Sequence, residues 1–392
     1  MTGPAGDRAS MPGEAAPTAA ADVLVRPLAA GEARELGAVM RRSFGGLAGM
    51  MFSPGKQAFV AELGGRIVGG VTLGVFRLGA GRRGGVVKWL FTLPEARGHG
   101  VASALVDRAL AWFDEQGVTD AIACVEALNA ASSNRFAQRG FAPLGFLEQA
   151  RRFGGRLPRV WWHANHVVDV GHVLWARGDG AATPAAPADA ASADPQVRGR
   201  GLGGLLATLA WHAAFAAVLL ARHGAGLDAA AIAAFALAAG LVVVVRTGAQ
   251  ALVGRAAGLR LRYLPWETGL LLAGAIALVF GGPFVAPGSV VPRSRVWSPS
   301  ALAPALARMA FAGVAAVALL GAAAWWGVAA GVARDLAEPV LLYARMMLLV
   351  DVLLPFFPMT AFAGRRMLAA SPVAWGALAA GTVALWFVPP GF

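Results

Sequence analysis

Hydrophobic and polar positions alternate in the first half of the chain and give way to long apolar runs in the second. Between residues 22 and 177 the pattern shifts repeatedly between the two-residue period of strands and the 3.6-residue period of helices. The predicted strands are Val23–Pro27, Ala58–Leu63, Arg66–Leu78, Val86–Thr92, Thr119–Glu126 and Phe141–Gln149. The predicted helices are Ala30–Arg42, Gly100–Gln116 and Ala130–Arg139. Mixed periods of this kind indicate an α/β domain.

Beyond residue 200, Ala, Leu, Val, Gly and Trp dominate, and apolar runs recur at close to the roughly 20 residues that cross a bilayer. The runs are Leu202–Ala221, Ala229–Val245, Trp266–Phe284, Leu306–Val332, Val340–Phe357 and Pro372–Val388. They lack a polar face, which disfavours the alternative of buried helices in a large soluble core. Tryptophans near the proposed ends fit an interfacial aromatic belt, namely Trp161, Trp162, Trp211, Trp266, Trp297 and Trp386. We therefore expect an all-α membrane bundle of about six helices.

The overall composition agrees with this division. Of the 392 residues, 57% are hydrophobic and only 14% charged, whereas soluble chains typically carry about 25% charged residues. Residues 1–21 are rich in Ala, Gly, Pro and Ser without periodicity, and Ala and Pro dominate much of residues 178–200. The expected order is therefore a disordered tail (1–21), an α/β domain (22–177), an Ala/Pro-rich linker (178–200) and a membrane domain (201–392).

The net charge of +12, from 34 basic and 22 acidic residues, is carried almost entirely by arginine. Arg177, Arg198 and Arg200 precede the first apolar run, and positive residues flank spans on the cytoplasmic side. We therefore expect an integral protein of the cell membrane with the α/β domain on the cytoplasmic side. Nucleic acid is not an expected partner, because no element interleaves basic residues with aromatics. With Cys124 as the single cysteine, a disulfide framework and a cysteine-cluster zinc site are excluded.

The most informative junction joins the strand Val86–Thr92 to the helix that begins at Gly100. Gly98 and Gly100 let the backbone approach a ligand closely, and the helix directs its unpaired N–H groups and positive dipole end to the same place. Such a site suits a pyrophosphate. A tight turn whose glycines serve only packing would show the same short pattern.

Two segments resemble the GNAT superfamily (general-control-related N-acetyltransferases). The acyl-coenzyme A loop of that family, Q/R-x-x-G-x-G/A, is matched by Arg97-x-x-Gly100-x-Ala102, and its V-x-P-E-x-R-G lead-in by Thr92-Leu93-Pro94-Glu95-Ala96-Arg97-Gly98. A second family segment, Asn followed by a helix that ends in Y-x-x-x-G-F, is matched by Asn129 and Phe136-Ala137-Gln138-Arg139-Gly140-Phe141. The resemblance covers about Val23–Phe146 and implies a central mixed sheet with flanking helices.

The resemblance implies acetyl-coenzyme A (acetyl-CoA) or another acyl-CoA as the cofactor. It also implies an amine acceptor on a peptide, a protein or a small molecule, which attacks the thioester directly while the protein supplies positioning. Residues 91–93 would pair with the pantetheine arm, and the amides of residues 98–102 would hold the pyrophosphate. The implied cofactor-binding residues are Phe91, Thr92, Leu93, Arg97, Gly98, His99, Gly100, Val101, Ala102, Asn129 and Phe136.

One position departs from the family pattern. The tyrosine that often protonates the leaving thiolate is Phe136 here, and the only tyrosines, Tyr263 and Tyr343, lie in the apolar half. Glu126, near the end of a predicted strand, is the candidate general base, with an ordinary surface carboxylate as the alternative. Cys124 is expected to be a small core residue rather than a nucleophile.

The apolar half resembles the site-2-protease class of intramembrane zinc metalloproteases without its metal ligands. Residues 245–263 are similar to the segment in which H-E-x-x-H precedes K-x-x-A-R-x-x-G, and residues 354–366 to the N-x-x-P…D-G segment. Arg246, Thr247 and Gln250 occupy the H-E-x-x-H positions, and Ala363 replaces the aspartate. Zinc hydrolysis needs two imidazoles, a Glu base and a third ligand. The resemblance therefore implies a catalytically dead protease-like domain with no metal, and an unrelated anchor is the alternative.

Two further polar features need an interpretation. His163, His166 and His172 lack acidic or cysteine partners in the sequence, so we expect polar strand residues rather than metal ligands. Asp351, inside an apolar run, is costly in lipid and is expected to face the bundle interior. An arginine such as Arg345 or Arg246 is its expected partner.

Two classes of function are consistent with this sequence. The first is a membrane-anchored N-acyltransferase of the GNAT type, which transfers an acetyl or other acyl group to an amine. The alternative is a non-catalytic membrane regulator or scaffold that senses acyl-CoA. The change to Phe136 favours the alternative, whereas the intact loop from Arg97 to Ala102 agrees with both.

Overall fold

The computed structural model describes residues 23–45, 52–166, 171–178, 201–223, 228–294, 297–354 and 362–389. The tail predicted over residues 1–21 lies outside these residues, as does all of the predicted linker after Gly178.

Seven strands of the first half form one mixed sheet in the order β1-β2-β3-β4-β5-β7-β6. They are β1 (Leu24–Pro27), β2 (Gln57–Leu63), β3 (Arg66–Gly79), β4 (Arg82–Thr92), β5 (Asp120–Glu126), β6 (Ala142–Pro143) and β7 (His172–Gly178). The helices of this half are α1 (Ala33–Phe44), α2 (Val101–Glu115), α3 (Ala130–Ala137), α4 (Phe146–Phe153) and α5 (Leu157–His163). Neighbouring strands are antiparallel except β4 and β5, whose parallel pairing requires the crossover through α2.

Helices cover both faces of this sheet. On one face, Leu36 of α1 and Leu105 of α2 are fully buried in a core shared with β2, β3 and β4. On the other face, Ile122 of β5 packs with Phe153 of α4 and Trp161 of α5 in a second core. The expected α/β architecture with a central mixed sheet and flanking helices is therefore confirmed.

The elements predicted before residue 140 are present, with ends shifted by up to four residues. The predicted strand Phe141–Gln149 is wrong, because only two of its residues are a strand and α4 begins at Phe146. The Glu148 carboxylate accepts the Gly145 N–H at 2.8 Å and caps this helix. The prediction that His163 and His166 are strand residues is also wrong, since they lie at and just beyond the end of α5, whereas His172 does begin β7.

The second half is helical with one small two-stranded sheet. Its helices are α6 (Leu202–Arg222), α7 (Ala229–Ala256), α8 (Glu267–Phe280), α9 (Pro299–Ala329), α10 (Arg334–Leu353), α11 (Ala363–Ala370) and α12 (Pro372–Phe387). The sheet consists of β8 (Leu261–Leu264) and β9 (Ser289–Pro292), which pair antiparallel and are separated in the chain by α8.

The prediction of about six spans is confirmed only in part. Within the described residues, three helices are long and apolar enough to cross a bilayer, namely α6, α7 and residues 300–329 of α9. The apolar helices α8 and α12 have only 14 and 16 residues. The apolar sequence of helix α10 is interrupted by charged residues, namely Arg334, Asp335, Glu338, Arg345 and Asp351. Three candidate spans, rather than six, are therefore supported.

A buried ion pair lies in the middle of this helical half. Arg246 of α7 donates from Nε to Asp351 Oδ2 of α10 at 2.8 Å and from Nη2 to Oδ1 at 3.2 Å, and both side chains are 1% exposed. Gly288 O accepts from Arg246 Nη1 at 3.2 Å, and the Ala363 N–H donates to Asp351 Oδ1 at 2.7 Å. The expectation that Asp351 faces the interior and pairs with an arginine is confirmed, with Arg246 as the partner.

The two halves of the chain contact each other through polar groups. Asn134 of α3 donates from Nδ2 to Trp297 O at 2.9 Å, and its Oδ1 accepts the Trp297 N–H at 3.2 Å. Gln149 of α4 donates from Nε2 to Glu267 Oε2 at 2.7 Å, at the start of α8. The helical half is therefore docked against α3 and α4, beside the carboxyl end of β5.

Candidate functional site

A cleft of about 400 Å³ opens where β4 and β5 stop pairing. The two strands are paired from Gly84 with Asp120 to Val87 with Ala123, although β4 continues to Thr92 and β5 to Glu126. The register of β4 against β3 skips Lys88, which is a β-bulge. Because a bulge bends and twists its strand, it turns the end of β4 away from β5. The cleft lies between the separated strand ends.

The turn between β4 and α2 forms one end of this cleft. Gly98 and Gly100 have φ of 89° and 78°, left-handed values that favour glycine. An added Cβ at either position would meet open space. Gly100 caps α2 without a side-chain hydrogen bond, so the first amides of this 15-residue helix face the cleft with no such cap. Backbone donors and open space thus coincide at the place predicted for a pyrophosphate.

Most of the predicted site residues line this cleft. They are Phe91, Thr92, Arg97, Gly98, Gly100, Val101, Ala102, Glu126 and Asn129. Asn129 also caps α3, its Oδ1 accepting the Ser132 N–H at 3.1 Å. The side chain therefore fixes the start of the helix that forms the opposite wall.

Three of the predicted cofactor-binding residues are not among those that line the cleft. Leu93 is 1% exposed in the core, and its N–H donates to Val68 O at 2.8 Å. His99 lies exposed in the turn between the two glycines. Phe136 is buried and packs edge-on against Phe141, with ring centroids 5.1 Å apart. The Phe136 ring therefore packs in the hydrophobic core and does not line the cleft.

The structure adds residues that the sequence reasoning did not single out. Ser43, Phe44, Leu90, Ala96, Leu128, Ser132 and Arg135 also line the cleft. Arg135 Nε is buried and has no hydrogen-bond partner among the described residues. Burial, with Arg139 nearby, lowers the pKa of Arg135. An arginine held in this way is a donor set suited to a phosphate oxygen.

The helical half also contributes to the cleft. Arg365 of α11 lines it together with residues of β5 and α3. The neighbouring Arg366 interacts electrostatically with both Glu126 and Asp351. Glu126 is 8% exposed, so it is a buried carboxylate between the cleft and an arginine rather than an ordinary surface residue. Neither arginine could be predicted here, since both follow Glu126 by more than 200 positions.

These residues fit an acyl-CoA. Free helix amides and the space beside Gly98 and Gly100 suit a pyrophosphate, and Arg135 adds a positive charge. The backbone of β4 beyond Val87 is unpaired on the β5 side, and Phe91 provides an apolar surface beside it. An amide-containing arm such as pantetheine can hydrogen-bond to such a strand end.

The comparison with protein families agrees with this geometry. A model of the acetyltransferase (GNAT) family matches residues 33–141, which include α1, the β4–α2 turn and α3. This match supports a GNAT acetyltransferase domain at residues 33–141. A domain of this family supports the assignment of the chain as an acetyltransferase enzyme. No curated protein matches the chain.

Several solved structures are similar to part of this chain. N-acetylglutamate synthase from Neisseria gonorrhoeae, complexed with coenzyme A and N-acetyl-glutamate, is 18% identical, over 40% of this chain and 35% of that one, with a TM-score of 0.29. Ribosomal-protein-alanine N-acetyltransferase from Brucella melitensis is 22% identical, over 40% of this chain and 99% of that one, with a TM-score of 0.29. A GNAT family acetyltransferase from the same organism, in complex with acetyl-CoA, is 18% identical over 31% and 84%, with a TM-score of 0.27. The chain thus spans about a third of the first of these proteins.

No family match covers the helical half, so its resemblance to site-2-proteases stays a prediction. Arg246, Thr247 and Gln250 are buried on α7, and Arg246 forms an ion pair with Asp351. Thr247 Oγ1 donates to Val243 O at 2.7 Å. Within the described ranges, no three His, Cys, Asp or Glu side chains are grouped as metal ligands.

Proposed function

We propose that the protein is a membrane-anchored N-acyltransferase that transfers an acetyl or other acyl group from acyl-CoA to an amine. The observation that carries this proposal is that the family-matched turn and the cleft between β4 and β5 meet at one place. Bound acyl-CoA would supply the acyl group in activated form, as a thioester. The protein then has to hold this thioester, admit an amine and remove its proton.

Each of these tasks has a candidate residue. The amides from Gly98 to Ala102 and the side chains of Arg97 and Arg135 would hold the phosphates, and the end of β4 would align the pantetheine arm. Glu126 would accept the proton of the attacking amine, because it lies in the cleft near the splayed strands. Arg366 nearby places a positive charge that interacts with the Glu126 carboxylate.

The usual tyrosine acid has no equivalent at Phe136, which is buried against Phe141. Protonation of the leaving thiolate would therefore need water or another side chain. This feature is what favours the alternative of an acyl-CoA sensor. The alternative differs in one measurable respect, since a sensor binds acyl-CoA without repeated turnover.

We further propose that the helical half anchors the GNAT domain to the cell membrane, with that domain on the cytoplasmic side. Three helices of sufficient length and apolarity support the anchoring. In this proposal the half resembling site-2-proteases serves as a scaffold without proteolytic activity. The amine acceptor, on a peptide, a protein or a small molecule, would approach the side of the cleft where Arg365 lies.

The test uses the full chain in detergent. Titration calorimetry with acetyl-CoA measures binding, and release of free CoA thiol is followed with spermidine, tripeptides bearing free α-amino groups, or phosphatidylethanolamine vesicles. We expect binding, and steady-state thiol release that rises with at least one of these amines. Tight binding without amine-dependent turnover would favour the sensor, and absence of binding would overturn the acyltransferase proposal and the sensor alternative together.

A further inference from the structure

Two helices of the second half begin in contact with the GNAT domain. At the start of α8, Glu267 Oε2 accepts from Gln149 Nε2 of α4 at 2.7 Å and lies 3.2 Å from His166 Nε2, just beyond α5. At the start of α9, the backbone of Trp297 is hydrogen-bonded to the Asn134 side chain of α3. The GNAT domain therefore lies at the end of the bundle where α8 and α9 begin.

Helix α6 begins at the same end of the bundle. An added Cβ at Gly204, near the start of α6, would touch the Pro265 ring, which immediately precedes α8. Both α6 and α9 are candidate membrane spans. Because the end of a spanning helix lies at the headgroup level, α4 and α5 of the docked GNAT domain lie at the level of the membrane surface.

Helix α8 carries an exposed apolar face directly beside this contact. Its Leu270 packs toward α6, where Trp211 Nε1 donates to Leu270 O at 2.7 Å. Leu271 and Leu272 are exposed, and they follow Glu267 by about one helical turn, or roughly 6–8 Å along the axis. In a bilayer this face of α8 would meet lipid close to the point at which α4 is docked.

Helices α4 and α5 continue this apolar surface onto the GNAT domain. Phe146, Leu147 and Trp162 are 49%, 67% and 71% exposed. The Phe146 ring centroid lies 6.2 Å from that of Trp161, whose Nε1 donates to Gln149 Oε1 at 2.7 Å. The exposed side chains thus border the residue that contacts α8, and a cluster of large exposed apolar side chains marks an interaction surface.

Exposed arginines accompany these apolar side chains. Arg151 follows Leu147 by one turn of α4, and Arg159 precedes Trp162 by three residues on α5, so each arginine shares a helix face with an exposed apolar side chain. From the start of α4 to the end of α5 the chain carries four arginines and a single acidic residue, Glu148. Tryptophan, phenylalanine and leucine beside arginine are typical of surfaces that bind the interface of an anionic membrane.

We propose that the α4–α5 surface, formed by Phe146, Leu147, Arg151, Arg159 and Trp162, binds anionic phospholipid headgroups; this inference rests on the proposed anchoring of the helical half. The apolar side chains enter the boundary between headgroups and acyl chains, and the guanidinium groups donate to lipid phosphate oxygens. Lipid is favoured over a protein partner because the surface continues the lipid-facing side of α8. The membrane itself then helps to orient the GNAT domain on the bundle.

The first test places a fluorophore on this surface in the full chain. Leu147→Cys, in a Cys124→Ser background, is labelled with bimane and reconstituted into nanodiscs of phosphatidylcholine and phosphatidylglycerol, with or without brominated acyl chains. We expect the brominated lipid to lower the bimane fluorescence at least about twofold, because the label reaches the acyl boundary. Leu24→Cys in the same background is the matched control, since Leu24 is an exposed leucine on β1, at the opposite edge of the sheet, and its label should not be quenched.

The second test addresses the charges in the unlabelled full chain in detergent. Phosphatidylglycerol bound to the folded state should raise the Tm more than phosphatidylcholine does. The double variant Arg151→Gln with Arg159→Gln should reduce this difference in Tm by at least about half. Arg34→Gln with Arg41→Gln is the matched control, since it removes two exposed arginines of α1, on the other face of the sheet, and should keep the full difference.

Two results would overturn the inference and leave membrane anchoring in place. One is a chain that enters nanodiscs but whose Leu147→Cys label is quenched no more than the Leu24→Cys label. The other is a Tm difference between the two lipids that Arg151→Gln with Arg159→Gln leaves intact, which would remove the anionic headgroup as the ligand. A chain that does not co-purify with nanodiscs would instead overturn the proposed anchoring itself, so the failures are distinguishable.

Discussion

Gly100 is the residue at which backbone conformation and proposed ligand chemistry coincide. Its φ of 78° is strained for a side chain, and an added Cβ would project into open space that we assign to the pyrophosphate. We expect Gly100→Asp to lower the affinity for acetyl-CoA at least about a hundredfold, because a carboxylate there repels phosphate. Calorimetric titration of the full chain measures the loss.

The β3–β4 turn offers a matched control for this variant. Gly81 has a φ of 74° and equally open surroundings, but it lies at the opposite end of β4. Gly81→Asp therefore carries the same backbone strain and the same added charge away from the cleft, and its affinity for acetyl-CoA should stay unchanged. Equal losses in both variants would show that strain, rather than the phosphate site, explains the effect.

At the scale of single residues, the sequence was informative where a local motif fixes geometry. The turn from Arg97 to Ala102 could be predicted because its glycines and the following helix are adjacent in the chain. The linear pattern did not reveal that Phe136 turns inward, that Arg135 borders the cleft, or that Glu267 contacts His166, since each depends on tertiary packing.

Strand β5 is anchored at its start by a cluster of charges. Asp120 accepts from Arg82 at 2.7 Å and from Arg152 at 2.8 Å, and the side chains of Asp120 and Arg152 are 2% and 4% exposed. Burial by itself would raise the pKa of Asp120, but hydrogen bonds from Arg82, Thr119 and Arg152 outweigh it and lower the pKa. The carboxylate therefore joins β5 to β4 and α4.

We expect Asp120→Asn to lower the free energy of unfolding by about 3 kcal/mol at pH 7, because Arg152 is left buried without its counter-charge. The folded-state pKa is lowered, so this stabilisation is present above the ordinary value near 4 and is lost as pH falls through the lower folded value. Thermal unfolding of both proteins across pH 2–7 checks the trend. Asp114→Asn, at an exposed position of α2, should be neutral; a difference that persists unchanged at pH 2 would contradict the account.

At the scale of elements, periodicity predicted the strands and helices of the sheet well up to α3. It failed at α4 because the apolar residues between Phe141 and Phe146 suggested a continuing strand, whereas Gln149 and Phe153 are buried at helical spacing and Glu148 caps the start. The apolar runs likewise predicted apolar segments in the second half, but they overestimated the number of helices long enough to span a membrane. Short helices such as α8 are apolar because they pack in the bundle, for which a full membrane thickness is not required.

For the whole molecule, the Arg246–Asp351 pair connects α7 and α10 with Gly288, just before β9, and with Ala363, the first residue of α11. We expect Arg246→Met to lower the free energy of unfolding by about 3–5 kcal/mol, because Asp351 would be left charged and buried. The double variant Arg246→Met with Asp351→Leu should recover most of this loss, since packing of apolar side chains replaces two desolvated charges. Thermal unfolding of the full chain in detergent, followed by tryptophan fluorescence, measures both.

Arg334→Met provides the comparison, since Arg334 and Glu338 are each 61% exposed and 3.9 Å apart, and an exposed pair contributes at most about 1 kcal/mol. If the double variant were as unstable as Arg246→Met, apolar packing could not replace the ion pair. The bundle would then depend on the hydrogen bonds and charges of Arg246 and Asp351. The cleft gives this result a second readout: Arg366 interacts with both Asp351 and Glu126, so the Asp351→Leu change should also alter acetyl-CoA turnover if the bundle positions the GNAT active site. Unchanged turnover in a folded double variant would confine the role of the pair to stability.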